Sequence, residues 1–265
     1  MTLTLGQGPL SADPPQETNY ELAGPAHKLL MHPFPRRVRA VFAGATVLDS
    51  RKAMLLQETA ILPQLYVPES DLDSTLLEPS DHSTYCPFKG DASYRSMRVR
   101  DRAAENAVWA YPQPLEASAW LEGYAGVYWD RMDAWYDEDE EIAGHPRDPY
   151  HRVDVRQASR HVRVLAGGEA IAETRRPQVL SETGLPNRLY IPPIDVRAEL
   201  LSGSAKTTVC PYKGTASYWA VELDGKTLEN VAFSYPDPLS DCPQIAGHLS
   251  FDHEELSVEV DGRVE

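Results

Sequence analysis

Cys210-Pro211-Tyr212-Lys213-Gly214-Thr215-Ala216-Ser217-Tyr218-Trp219 decides how this chain is read, because the chain carries the stretch twice. Its other copy, Cys86-Pro87-Phe88-Lys89-Gly90-Asp91-Ala92-Ser93-Tyr94-Arg95, lies 124 positions earlier. Between Ser83–Tyr94 and Thr207–Tyr218, eight of twelve aligned residues are identical, so the chain is a tandem repeat. The offset runs on in both directions. Glu58-Thr59 answers to Glu182-Thr183, Leu65-Tyr66-Val67-Pro68 to Leu189-Tyr190-Ile191-Pro192, and Asp71 to Asp195. Downstream, Glu105-Asn106 matches Glu229-Asn230, Trp109 matches Phe233, and Tyr111-Pro112-x-Pro114-Leu115 matches Tyr235-Pro236-x-Pro238-Leu239. At the start Ala43-Gly44 pairs with Ala166-Gly167, one residue out of step. Near the end Trp129-Asp130 pairs with Phe251-Asp252 after a two-residue change.

Each repeat has the size of one domain. The reading is an extended N-terminal arm over 1–35, a first repeat over 36–136, an acidic, Pro-containing linker over 137–156, and a second repeat over 157–265. Runs such as Val38–Phe42, Ala45–Leu48, Met54–Glu58 and Gln64–Val67 are short, apolar and punctuated, which favours strands. Val162–Leu165, Gly167-Gly168 and Glu169–Glu173 read as a hairpin, and Asp224-Gly225 as the type I′ turn of another. Trp219, Val221 and Leu223 share one parity, as on a half-buried strand. The one helical expectation is a turn or two over Asp195–Leu201, with Asp195 as cap or first-turn acid. The fold class expected is mostly β: two homologous small, rolled or sandwich-like β domains arranged as an intrachain pseudo-dimer.

A net charge of −15 and a pI near 4.9 argue against a nucleic-acid surface or an anionic membrane, both of which attract clustered Lys and Arg. Cys86, Cys210 and Cys242 are an odd number without a C-x-x-C pair, which reads as reduced thiols in a cytoplasmic protein. Residues 1–10 show no basic, long-apolar signal pattern, and no apolar run approaches a membrane span.

The chemistry-bearing candidates cluster in the repeat. In Cys-Pro-aromatic-Lys-Gly, proline keeps the preceding Cys extended and pre-sets a turn, and Gly90 and Gly214 suit a positive φ at its end. A lysine three residues on would lower a thiol pKa and favour a thiolate nucleophile. The competing reading makes Cys a small core group and Lys a turn-surface charge. Glu58 and Glu182 interrupt apolar strand sequence, so each is either edge-exposed or drawn inward to a cation, with Lys89 and Lys213 as the repeated candidates. Three phenols recur in each unit, Tyr66/Tyr190, Tyr94/Tyr218 and Tyr111/Tyr235, as core rings or as the wall of a pocket for a small anionic or planar ligand. Asn106 and Asn230 read as satisfying backbone groups near a hairpin. None of the eight histidines is read at a matched position, and each unit has one matched Cys. A closed Cys-rich zinc site within a unit, or any other metal site or cofactor, is therefore not expected.

The ensemble resembles the bacterial family called domain of unknown function 427, also labelled nucleotidyltransferase-like. The residues carrying the likeness are Ser-Glu-Thr-Gly-Leu-Pro at 181–186, Leu189-Tyr190-Ile191-Pro192, Cys210-Pro211-Tyr212-Lys213-Gly214 and Phe233-Ser234-Tyr235-Pro236-x-Pro238-Leu239. The likeness covers both units. The first departs from it at Phe88, where the second has Tyr212, and at Arg95, where it has Trp219. The family label implies nucleotidyl transfer as one activity and assigns no catalytic residue; neither a Gly-Ser motif with a spaced Asp pair nor a Walker-type loop is present.

The functional expectation is a small polar or anionic metabolite bound at the Cys-Pro-aromatic-Lys-Gly loop. Cys210, Lys213 and Glu182 are the candidate chemical groups. Tyr190, Tyr212, Tyr218 and Trp219, with Tyr66, Cys86, Lys89, Tyr94 and Glu58 in the first unit, are the candidate ligand contacts. The alternatives are a structural or protein-interaction module without catalysis, and the transferase of the family label. The partner expected is a small molecule, and the assembly either a monomer with its intrachain pseudo-dimer or a homo-oligomer.

Overall fold

The computed structural model describes residues 3–14, 17, 19, 23–223 and 225–265. The chain divides into two compact units, Met1–Tyr150 and His151–Glu265. Unit 1 holds β1 (Leu29–Pro33), β2 (Val38–Phe42), β3 (Ala45–Ser50), β4 (Met54–Glu58), β5 (Ile61–Pro68), β6 (Leu77–Cys86), β7 (Gly90–Val99), β8 (Arg102–Ala110), β9 (Tyr124–Val127), β10 (Ala134–Asp137) and β11 (Glu140–Ile142). Unit 2 holds β12 (Val153–Gln157), β13 (Val162–Ala166), β14 (Glu169–Thr174), β15 (Gln178–Glu182), β16 (Arg188–Tyr190), β17 (Leu201–Cys210), β18 (Gly214–Leu223), β19 (Lys226–Ser234), β20 (Ser250–Phe251), β21 (Leu256–Val260) and β22 (Arg263–Val264).

Strand order is the same in both. Unit 1 has a large sheet ordered β1-β4-β5-β9-β8-β7-β6 and a small one ordered β11-β10-β2-β3. In unit 2 the small sheet runs β22-β21-β13-β14, and the large one is β12-β15-β16 joined to β20-β19-β18-β17 through a single bridge. At that bridge Ile191 N donates to Leu249 O at 2.7 Å and Leu249 N donates back at 2.9 Å. Mostly-β architecture and duplicated topology both follow the sequence reading.

The two sheets of each unit face one another across an apolar core. In unit 1 this core joins Val38, Ala40 and Phe42 of the small sheet to Leu55, Val67, Met97 and Val108 of the large one. A second apolar layer lies on the outer face of the large sheet, under Leu121 in unit 1 and Ile245 in unit 2. Central strands therefore bury both faces, and β4 has four consecutive buried residues where a half-exposed strand would alternate. Trp219, Val221 and Leu223 pack on one core face as their shared parity predicts, and only Ala220, buried on the other face, departs from a half-buried strand.

The structure corrects three further readings. Ala43-Gly44 answers to Gly167-Gly168, not Ala166-Gly167: each pair forms the two-residue turn of a hairpin, all four residues have positive φ, and the offset stays at 124. Val108↔Val127 in one unit and Ala232↔Phe251 in the other make Val127, not Trp129, the counterpart of Phe251. The turn or two expected over Asp195–Leu201 is present as two separate 3-10 turns, Pro193–Asp195 and Ala198–Leu200, with Asp195 the first-turn acid of the former. Asp195 caps neither; its carboxylate accepts from Thr174 Oγ1 at 2.7 Å, as Asp71 accepts from Ser50 Oγ at 2.7 Å. The acidic run 137–141 is no bare connection, since it lies in the β10–β11 hairpin.

The arm contributes β1 to the large sheet beside β4, and Ala60 N donates to Thr4 O at 3.0 Å. Leu223 pairs with Lys226 as the expected two-residue hairpin requires, while Asp224 itself lies outside the described residues. Asn106 and Asn230, at φ of 52° and 57°, form the bulges of β8 and β19. They bond side chains rather than backbone: Ser80 Oγ and Ser204 Oγ donate to their Oδ1 atoms. Asparagine tolerates this left-handed backbone, which explains its recurrence.

Candidate functional site

Cys-Pro-aromatic-Lys-Gly is the tip of the long β6–β7 hairpin and, in unit 2, of β17–β18. Lys89 N donates to Cys86 O at 3.2 Å, closing the turn that Pro87 pre-sets. Gly90 and Gly214 have φ of 100° and 101°. A Cβ there would also stand 3.3 Å from Gln113 O and 3.2 Å from Asp237 O. Glycine is required on both counts. The second repeated motif docks on this turn: Leu115 N donates to Lys89 O at 3.1 Å, and Leu239 N to Lys213 O at 3.1 Å.

The turn delivers its lysine to a glutamate on the outer face of the large sheet. Glu58 ends β4 on the same face as Leu56, and Lys89 Nζ donates to its Oε2. His27 Nε2 donates to Oε1 at 2.9 Å; a carboxylate only accepts, so that nitrogen carries the proton. Phe88 stacks on the His27 ring at 3.6 Å and 5°. Unit 2 repeats the set: Lys213 Nζ donates to Glu182 Oε2 at 2.5 Å, His151 Nε2 donates to Oε1 at 2.9 Å, and Tyr212 packs on His151 at 4.0 Å. The inward reading of both glutamates, with lysine as partner, is the observed one.

The histidines are the residues that the sequence reading missed. His27 and His151 are 124 apart and 31 before each glutamate, as each glutamate is 31 before its lysine. This corrects the expectation that no histidine is matched: both lie in segments read as arm and linker rather than in the repeat.

Electrostatically, burial opposes ionisation of Glu182, but the His151 hydrogen bond and the charge and hydrogen bond of Lys213 outweigh it and hold the carboxyl down to about 2. Burial pushes the Tyr66, Tyr111, Tyr190 and Tyr235 phenols well above their ordinary value. These rings sit within electrostatic range of Glu and Cys86 in unit 1, and of Glu and Cys210 in unit 2. All three cysteines are free thiols, with Cys242 fully buried and its Sγ donating to Tyr212 O at 3.8 Å.

The remaining candidates divide. Tyr94 and Tyr218 hydrogen-bond Thr84 and Thr208 across their hairpins at 2.9 and 3.0 Å. Trp219, one residue on, turns to the opposite face and packs in the inter-sheet core, so the structure does not bring it to Lys213. Arg95 at the matching position pairs with Glu69 at 2.8 Å.

The two sites differ in closure. Glu58 and Lys89 side chains are 3% and 9% exposed, against 10% and 12% for Glu182 and Lys213. In unit 1 Trp109 Nε1 donates to the Tyr66 hydroxyl at 3.1 Å. Phe233 replaces Trp109 in unit 2, and the Tyr190 hydroxyl, fully buried, has no hydrogen-bond partner among the described residues. Among the described residues no group of three His, Cys, Asp or Glu side chains is placed to hold a metal ion. No helix among them is long and apolar enough to cross a membrane.

No curated protein matches the chain. A family described as a domain of unknown function, DUF427, matches residues 30–138 and again 154–262, and each match holds the Glu and Lys of one set, while His27 and His151 lie three residues before the matches begin. The chain belongs to that family, as a tandem pair of its domain.

Proposed function

We propose that unit 2 binds a small polar metabolite on the outer face of its large sheet, against Tyr190, Glu182, Lys213 and Cys210. The Tyr190 hydroxyl carries this reading. A buried hydroxyl left unpaired costs about 1–3 kcal/mol, and a ligand donor or acceptor would remove that cost. Unit 1 removes it internally with Trp109. Polar is favoured over anionic, because Glu182 already neutralises Lys213, while the ammonium keeps donors beyond the one given to Glu182.

The test is a metabolite panel read by thermal shift on the full chain, repeated with Phe233→Trp, Lys213→Ala and Lys89→Ala. A hit lost in the first two variants and kept in Lys89→Ala supports the site. A hit that survives Phe233→Trp and Lys213→Ala overturns it.

A second reading, a folding module without ligand, is favoured in unit 1 by the near-complete burial of Glu58 and Lys89. There the triad works as an internal clip between the hairpin tip and β4.

A further inference from the structure

Unit 2 has a cleft of about 270 Å³ between its sheets, which shares Glu182 with the outer-face site but is not lined by Tyr190, Lys213 or Cys210. Val162, Val164, Leu189, Ile191, Phe251 and Val258 form its apolar wall, and Arg188, Glu182 and Glu265 are among its polar lining. Unit 1 shows what closes the equivalent space. Trp135 pairs with Ala40 as Val258 pairs with Val164, so Trp135 and Val258 are counterparts. Ile142 pairs with Trp135, and Glu265 N donates to Val258 O at 2.9 Å, which makes Ile142 and Glu265 counterparts. Trp135 is buried in the unit 1 core, its ring 3.9 Å from Trp129 and its Nε1 donating to Trp129 O at 3.2 Å, with Ile142 packed against that core. Unit 2 has a valine and a carboxylate at these two positions. Ala40→Val164 and Val127→Phe251 return part of the lost volume, and the cleft that remains is lined by Val258 and Glu265.

We infer that this cleft binds a small aromatic amine, its ring in the place of the Trp135 indole and its ammonium beside Glu265. The apolar wall selects a ring. The charge selects an amine: Glu182 is paired with Lys213 and Arg188 with Asp252, while Glu265 has no ion-pair partner among the described residues. An anionic head would add to that uncompensated charge in a chain whose net charge is already −15.

The experiment is calorimetric titration of the full chain with tryptamine and phenethylamine, and with indole-3-acetate as the anionic analogue. Binding of the amines and little of the acid is expected. Glu265→Gln should weaken the amines by up to about fivefold, the upper end for a solvent-exposed ion pair. Val258→Trp, which fills the cleft with the unit 1 residue, should abolish binding; where Val258→Trp fails to fold, Glu265→Ile, also the unit 1 residue, should lower the ratio of amine to acid affinity at least as far as Glu265→Gln does. Tyr190→Phe should leave amine binding unchanged, which separates this cleft from the outer-face site. No heat with either amine, equal affinity for the acid, amine binding that survives in folded Val258→Trp, or an unchanged ratio of amine to acid affinity in Glu265→Ile overturns the inference.

Discussion

Unit 1 and unit 2 share a backbone plan and a His–Glu–Lys set, yet they are filled differently. In unit 1 each place that opens in unit 2 is plugged: Trp109 satisfies Tyr66, Trp135 and Ile142 occupy the inter-sheet space, and the ion pair is more deeply buried. In unit 2 Phe233, Val258 and Glu265 stand at those positions. The difference separates two demands that one copy would leave mixed. Both units keep the turn glycine, the bulge asparagine and the His–Glu–Lys set. What only unit 1 fills marks where unit 2 has room for something else.

The largest expected effect tests the triad as a clip. Lys89→Ala strands a buried Glu58 carboxylate and should destabilise unit 1 by about 3–5 kcal/mol, the cost of breaking a buried pair from one side. Lys213→Ala should cost less, because Glu182 is more exposed and can regain water. Urea unfolding of both variants checks the order, and an equal loss would end the claim that the units differ in closure.

Next comes pH. Glu182 ionises well below its ordinary 4.5, at about 2, so the stability it contributes is present above pH 4.5 and lost as pH falls through the interval towards 2. The span corresponds to about 3 kcal/mol at most. Unfolding followed from pH 6 to pH 2.5 should show this decline in the parent chain, and Glu182→Gln should flatten that part of the curve. A Glu182→Gln profile parallel to the parent would remove Glu182 from the account.

Smaller still is the tyrosine pair. Tyr66→Phe deletes a satisfied acceptor and leaves the Trp109 N–H unpaired, costing about 1–2 kcal/mol. Tyr190→Phe deletes a hydroxyl with no protein partner and should be neutral or slightly stabilising in ligand-free protein. Paired melts of the two variants decide it; a Tyr190→Phe loss as large as that of Tyr66→Phe would mean that a bound molecule already satisfies Tyr190.

The smallest difference between the units is expected at the bulges. Asn106→Ala and Asn230→Ala place a side chain without local hydrogen bonding at positive φ and remove a bond from serine, so each should cost about 1–2 kcal/mol. The two values should agree within error, since the bulges are alike in both units. A clear inequality would show that closure also reaches the hairpins.

The sequence by itself determined the duplication, the strand-rich class and the turn chemistry. A repeated glycine, proline or Asp-Gly constrains φ locally, whatever the rest of the chain does. It also pointed each glutamate at its lysine, because a carboxylate in an apolar strand must be compensated if it is buried. Tertiary structure alone decided the rest. His27 and His151 join the site from segments that look like arm and linker, since pairing of β1 with β4 and of β12 with β15 is a long-range event. Trp219 was drawn into the candidate site by adjacency to Tyr218, but pleating sends neighbours to opposite faces. Whether a tyrosine hydroxyl is satisfied, or a core position filled, depends on residues far apart in sequence, Trp109 for Tyr66 and Trp135 for Ala40. Burial fixes the energetic cost of such a gap, and burial exists only once the sheets have packed.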